Sequence, residues 1–200
     1  FIPGETYGGF DWLHPERRHT HAVGNIGGKV VPVVITTMPK DGHLPEKPKA
    51  DYIYTGANVP EKLMRGQRYI VDFNVYADLR QSGKLKALQG NDEQIFPIFP
   101  AHAMPFTGAV QAKLKFVVLQ FGTPADEYIA CLKAHPEIVV VCMSNHQNRL
   151  GDQRALVHEM MTAGVQNPVV FAQMYKLNDR EEFQLQSAAD MGALMMDGLT

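Results

Sequence analysis

From Lys115 onward the chain alternates short β-branched runs with amphipathic stretches, a pattern that predicts βα units and a parallel sheet. KFVVLQF (115–121) and EIVVVCM (137–143) are continuous apolar runs of strand length, as is PVVFAQMY (168–175). Between the first two, Thr123-Pro124-Ala125-Asp126 supplies a cap, a proline at the first helical position and acid in the first turn. The helix it opens should run to His135-Pro136 and pack Tyr128, Cys131 and Leu132 on the sheet. Gly151-Asp152 opens the next helix, with a stripe of Leu156, Val157, Met160 and Met161 ending at Gly164. Asn178 with Glu181 three residues on resembles a capping box; Leu185, Ala188, Ala189 and Gly192 mark one face of the helix that follows. The closing ALMMD (193–197) reads as a strand.

The first half is less regular. VVPVVITT (30–37), DYIYTG (51–56), RYIVDFN (68–74) and QIFPIFPA (94–101) have the length and side chains of strands. Residues 38–50, with three prolines and a glycine, predict a loop, and 58–67 a short helix. Both halves together hold about eight strand candidates, the number that closes a parallel barrel. The predicted fold is a degenerate (β/α)8 TIM-barrel-like domain, with an open parallel α/β sheet as the alternative. Residues 1–29 form an irregular N-terminal arm and turn; residues 30–200 form a single domain.

Composition narrows the function. With 200 residues, 45% hydrophobic and 20% charged, the chain can bury one core. A formal net charge of -2 argues against nucleic acid and against an anionic membrane surface. No apolar stretch approaches the roughly 18 residues of a membrane span, and the start has no signal-peptide pattern. Cys131 and Cys142 are no disulfide framework and suit a reducing cytoplasm as buried thiols. Phe1 is not an initiator methionine, so a longer reading frame or processing is expected.

Candidate chemistry is sparse. HAVGNIGGKVV (21–31) lacks the P-loop spacing, because Val23 stands where the first glycine belongs and Val30 follows the lysine; it reads as a turn. Asp11, His14, His19 and His21 are metal-ligand types, but their spacing fits no compact zinc pattern and Pro15 with adjoining charges predicts a solvated or partner-contacting arm. His158-Glu159 lacks the second histidine of a metalloprotease helix and reads as a solvent-facing pair. The best candidates for an autonomous binding site are polar residues at strand carboxyl ends, where barrels and open sheets place their sites: Asp72, Asn74, Gln120, Asn145, His146 and Gln173, with Ser144 beside them. They form no set of nucleophile, base and orienter, and no metal or cofactor site is expected.

DREEFQLQSAADMGALMMDGL (179–199) resembles a region of the large-form 4-hydroxy-3-methylbut-2-enyl diphosphate synthases, where a similar stretch runs into a Gly-Asp-Gly turn. NIGGKVVPVVITT (25–37), DYIYTGANVP (51–60) and VVLQFGTPADEY (117–128) are similar to the middle of the same family. The resemblance implies a parent enzyme of the non-mevalonate isoprenoid pathway that reductively opens the cyclic diphosphate of methylerythritol. Its electrons would come through a four-iron four-sulfur (4Fe-4S) cluster from ferredoxin or flavodoxin. The large form, found in plants and some bacteria, carries an extra, barrel-like domain between its substrate barrel and its cluster domain. The family's cluster ligands, three cysteines and a glutamate with a Cys-x-x-Cys pair, lie in the last domain. Cys131 and Cys142, with ten residues between them, do not match that pair, so no catalytic, substrate or cluster residue is carried over.

The resemblance therefore implies a non-catalytic inserted domain of a cytoplasmic bacterial enzyme, truncated at both ends, whose partners are other domains of the same polypeptide and a second subunit. Thr200 stands where the family continues with glycine. A free-standing barrel-type small-molecule enzyme or ligand-binding domain, using the carboxyl-edge residues, is the rival from a different class.

Overall fold

The computed structural model describes residues 17–39, 49–177 and 179–199. Asp11, His14, most of the predicted 38–50 loop, Asn178 and Thr200 lie outside the described residues. A two-stranded hairpin, β1 (Ala22–Val23) and β2 (Ile26–Gly27), precedes β3 (Ile35–Thr37), β4 (Tyr52–Gly56) and β5 (Arg68–Asp72). Helices α1 (Phe73–Gln81) and α2 (Lys84–Gln89) lead to β6 (Ile95–Phe99), and a 3-10 helix (Ala101–Phe106) leads to β7 (Lys115–Leu119). Then α3 (Ala125–Ala134), β8 (Ile138–Met143), α4 (Arg149–Thr162), β9 (Val169–Ala172) and α5 (Arg180–Met196) alternate.

Strands β3 to β9 form one seven-stranded sheet in sequential order, and every neighbouring pair is parallel. Parallel crossovers are right-handed, so an order that never reverses sends successive connections to the same face. A doubly wound sheet, in contrast, reverses its order and uses both faces. The result is a curled half-barrel, a degenerate barrel open along one side: among the described residues β3 pairs only with β4 and β9 only with β8.

The register explains the two faces. Phe116 pairs with Val139 and Val118 with Val141, so these side chains point to the inner face, while Val117, Leu119, Val140 and Cys142 point outward. The inner face buries Tyr52, Ile70, Phe96, Phe116, Val139 and Val141. Tyr52 meets Phe116 edge-on at 5.6 Å and Phe96 at 6.1 Å, the geometry that the ring quadrupoles favour. The outer face packs Val117, Leu119, Val140 and Cys142 against Tyr128 and Leu132 of α3 and Leu156, Val157 and Met160 of α4. A second outer cluster joins Ile53, Tyr69 and Ile95 to Tyr76 of α1 and Leu85 of α2.

The amino-terminal end of the half-barrel is plugged by the β1–β2 hairpin. Val23 and Ile26 are buried against the inner cluster, and the Tyr52 hydroxyl donates to Asn25 Oδ1 at 2.5 Å. The predicted turn at 21–31 is thus a packed hairpin, and the predicted strand 30–37 shrinks to Ile35–Thr37. Pro32 has no N–H to pair, Val31 is exposed, and Val34 donates its N–H to the Asp51 carboxylate at 2.8 Å, so regular pairing begins only at Ile35.

Four further expectations are corrected. Residues 193–197 continue α5 and are not an eighth strand: ALMM has no β-branched residue, its Ala, Leu and Met are strong helix formers, and nothing breaks the helix before Gly198 at φ +69°. The cap of α5 is Asp179, which accepts from Glu182 N at 3.0 Å, one residue beyond the predicted Asn178. The predicted short helix at 58–67 is absent; the segment turns without helical hydrogen bonding. Thr123 lies one residue outside the cap of α3, and its hydroxyl donates back to Gln120 O at 2.8 Å.

Arg18 ties the start of the described chain to its end. Its backbone N–H donates to Gly198 O at 2.7 Å, and its buried guanidinium donates from Nη2 to Val165 O at 2.8 Å and Asn167 O at 3.0 Å. Burial pushes that guanidinium down to about 10.

Candidate functional site at the carboxyl edge

In a parallel barrel the strand carboxyl ends open onto the loops that carry function. Here the opening is shaped by an irregularity in β4: its pairing with β5 slips between Tyr54 and Gly56, where Gly56 adopts φ +60°. Tyr54 reaches across the inner face, and its hydroxyl donates to Asp72 Oδ1 at 2.8 Å. Burial first, then the Asp72 hydrogen bond and charge, pushes the Tyr54 phenol up to about 12, so it stays a donor at neutral pH. Asp72 is the residue before α1, yet its carboxylate makes no cap bond to that helix and turns to Tyr54.

A cavity of about 390 Å³ opens here, walled by Phe73, Ile98 and Val118 with Tyr54, Asp72 and Asn74 as its polar groups. Asp72 is its one charged residue, so the cavity suits an uncharged or cationic small group better than a phosphate.

Of the six predicted residues, the structure brings together Asp72 and Asn74. Gln120 is exposed just beyond β7. Asn145 and His146 are exposed in the β8–α4 loop. There the buried Ser144 Oγ accepts from His146 N at 3.1 Å, and His146 Nδ1 accepts from Asn148 N at 3.2 Å. Asn148 in turn caps α4 through Gly151 N at 3.0 Å. Gln173 Nε2 donates to Gln153 Oε1 at 2.8 Å, and Gln153 Nε2 donates to Cys142 O and Ala172 O, lacing α4 to β8 and β9. Tyr54 was not among the predicted residues: an aromatic inside a strand carries only a core signal, and the neighbouring strand residue that its hydroxyl reaches is not visible in the sequence.

On the outer side, the 3-10 connection between β6 and β7 replaces a full helix and leaves a groove of about 570 Å³. Lys115 lies within it, 2.7 Å from Glu137 and donating to Thr107 O at 2.8 Å, with His135 Nδ1 3.3 Å from the same carboxylate. Burial raises Glu137, but the Lys115 hydrogen bond and the Lys115 and His135 charges outweigh it and hold Glu137 below the usual range. This is a charge clamp with no nucleophile.

Among the described residues no group of three or more His, Cys, Asp or Glu is placed to hold a metal ion. His21 Nε2 sits 2.7 Å from Pro136 O. Cys142 is fully buried, its thiol pushed well up by burial, and Cys131 is half-buried on α3. Two thiols on different elements do not fit a 4Fe-4S cluster, which takes four ligands. No helix among the described residues is long and apolar enough to cross a membrane.

No protein-family model and no solved structure matches the chain. Three curated relatives align with all of it: proteins of Bacteroides thetaiotaomicron (44% identical), Phocaeicola vulgatus (42%) and Bacteroides fragilis (39%). The chain spans only 30%, 31% and 30% of their respective lengths. Over its whole length it is thus similar to a segment of the proteins named 4-hydroxy-3-methylbut-2-en-1-yl diphosphate synthase (flavodoxin).

Proposed function

We propose that this chain is a non-catalytic domain inserted into such a synthase, which holds the parent's substrate barrel and 4Fe-4S domain at the spacing that catalysis needs. The parent would reductively open the methylerythritol cyclodiphosphate in isoprenoid biosynthesis, in the bacterial cytoplasm, with flavodoxin or ferredoxin as electron donor. The observation that carries the reading is the Arg18–Gly198 contact: the described chain arrives and departs at one point, separated by a single 2.7 Å hydrogen bond. Such a domain can be inserted into a host without distorting it. The whole-length match to about 30% of longer relatives supports the same reading.

The test is a precise excision. Residues 19–197 of the intact polypeptide are replaced by a short Gly-Ser linker, which the clasp geometry allows to be brief. Turnover with reduced flavodoxin should fall roughly 100-fold, because the two host domains, joined at the same point with or without the insert, lose the folded body that holds them in productive orientation. Unchanged turnover overturns the proposal. A second reading, a ligand-binding barrel, is favoured by the Tyr54–Asp72 cavity. It requires Asp72→Asn to alter turnover of the intact enzyme while leaving its melting temperature in place.

A further inference from the structure

Helix α5 carries apolar residues on its solvent side as well as its inward one. Its inward face carries Ser187, Asp190 and Met191, all half-buried, and the fully buried Leu194. On the opposite side lie Leu185, Ala189, Gly192 and Met196. Leu185 is 67% exposed and Met196 86%, and a side chain built at Gly192 would meet nothing within 4 Å. A solvent-facing side of a helix is ordinarily polar; an apolar stripe there marks a helix that sits between two layers. The 4-3-4 spacing of the four residues is that of a helix–helix seam.

We infer that this outward face of α5 is the docking surface for an amphipathic helix from the flanking part of the same polypeptide. The inference rests on the inserted-domain reading and adds the surface through which the insert would grip its host. Three observations select that occupant. Gly198 lies two residues beyond the end of α5, and Arg17 lies so close that a Cβ on Gly198 would be 2.9 Å from its Cα, so both ends of the described chain lie together just past Met196. About 70% of the length of the relatives lies outside the match, which supplies ample chain at that point. The seam is bordered at its far end by Glu181 and Glu182, while α5 has only Arg180 as a base, so pairing with a second α5 would leave those acids without cations. The fitting helix has an apolar seam edged by Lys or Arg where it passes these glutamates.

The test uses single cysteines in the intact polypeptide, with maleimide labelling read by peptide mass spectrometry so that other thiols do not interfere. Leu185→Cys and Ala189→Cys should label at least tenfold more slowly than Lys84→Cys, an exposed control on α2, and the protection should not vary with protein concentration. A maleimide–succinimidyl ester cross-linker attached through its maleimide to the cysteine at residue 189 should form an amide with a lysine of the flanking polypeptide. Labelling as fast as the control, with the fold confirmed by circular dichroism, overturns the inference; protection that rises with concentration also overturns it, because a second copy is then the occupant. The excision experiment reads turnover and this one reads coverage. Protection with unchanged turnover after excision leaves the docking surface standing and removes the spacer role, and loss of turnover without protection does the reverse.

Discussion

His158 shows how far a side chain's setting can depart from its chemistry. Read beside Glu159 it looks solvent-facing, but α4 buries it, and Glu159 accepts a hydrogen bond from Tyr128 of α3. Burial pulls the imidazole below its ordinary 6.5, Asp197 opposes the shift and Arg154 adds to it. The unfolded chain therefore takes up this proton first as pH falls. The stability tied to neutral His158 is complete above pH 6.5 and is lost as pH drops through the lowered native value. His158→Gln should flatten the change in urea midpoint between pH 7.5 and pH 5. Arg18 is a buried cation. Arg18→Ala leaves two buried carbonyls without their donor and should cost about 3 kcal/mol in chemical denaturation.

At the scale of elements, β4 to β9 were legible because each is a short apolar run flanked by turn residues, and a strand buried on both faces needs only that signal. The hairpin was not: strands of two residues are below any periodicity, and what holds them is the distant Tyr52 hydroxyl and the inner-face cluster. Its tight fit makes it testable. Gly27 lies at φ +80°, and a Cβ there would be 2.5 Å from both His21 O and Pro168 Cγ, so Gly27→Ala should destabilise by about 2 kcal/mol or more in thermal or urea unfolding. The end of α5 misread as a strand because ALMM is apolar enough for either; propensity and the absence of a breaker decide. Leu194 is the helix's one fully buried anchor, and Leu194→Ala should cost about 2–4 kcal/mol. Of the candidate site, only the Asp72 and Asn74 corner was readable, since position after a strand is visible in sequence whereas the Tyr54 contact depends on which strands lie side by side.

For the molecule as a whole, sequential strand order means that each βα unit leans mainly on its neighbours in the chain, yet every parallel pairing spans a crossover, so the strand contacts are non-local and slow to form. The ends of the sheet are unequal. β7 and β8 are flanked on both sides and buried, whereas β3 is three residues long and partly exposed. Native-state hydrogen exchange should find the slowest amides in β7 and β8 and the earliest opening in β3. The Arg18–Gly198 clasp carries a mechanical consequence. Tension applied along the polypeptide enters at Arg18 and leaves at Gly198, so the load path crosses the clasp and bypasses the seven-stranded sheet. The clasp takes such a pull first, and the strands feel none of it until it parts.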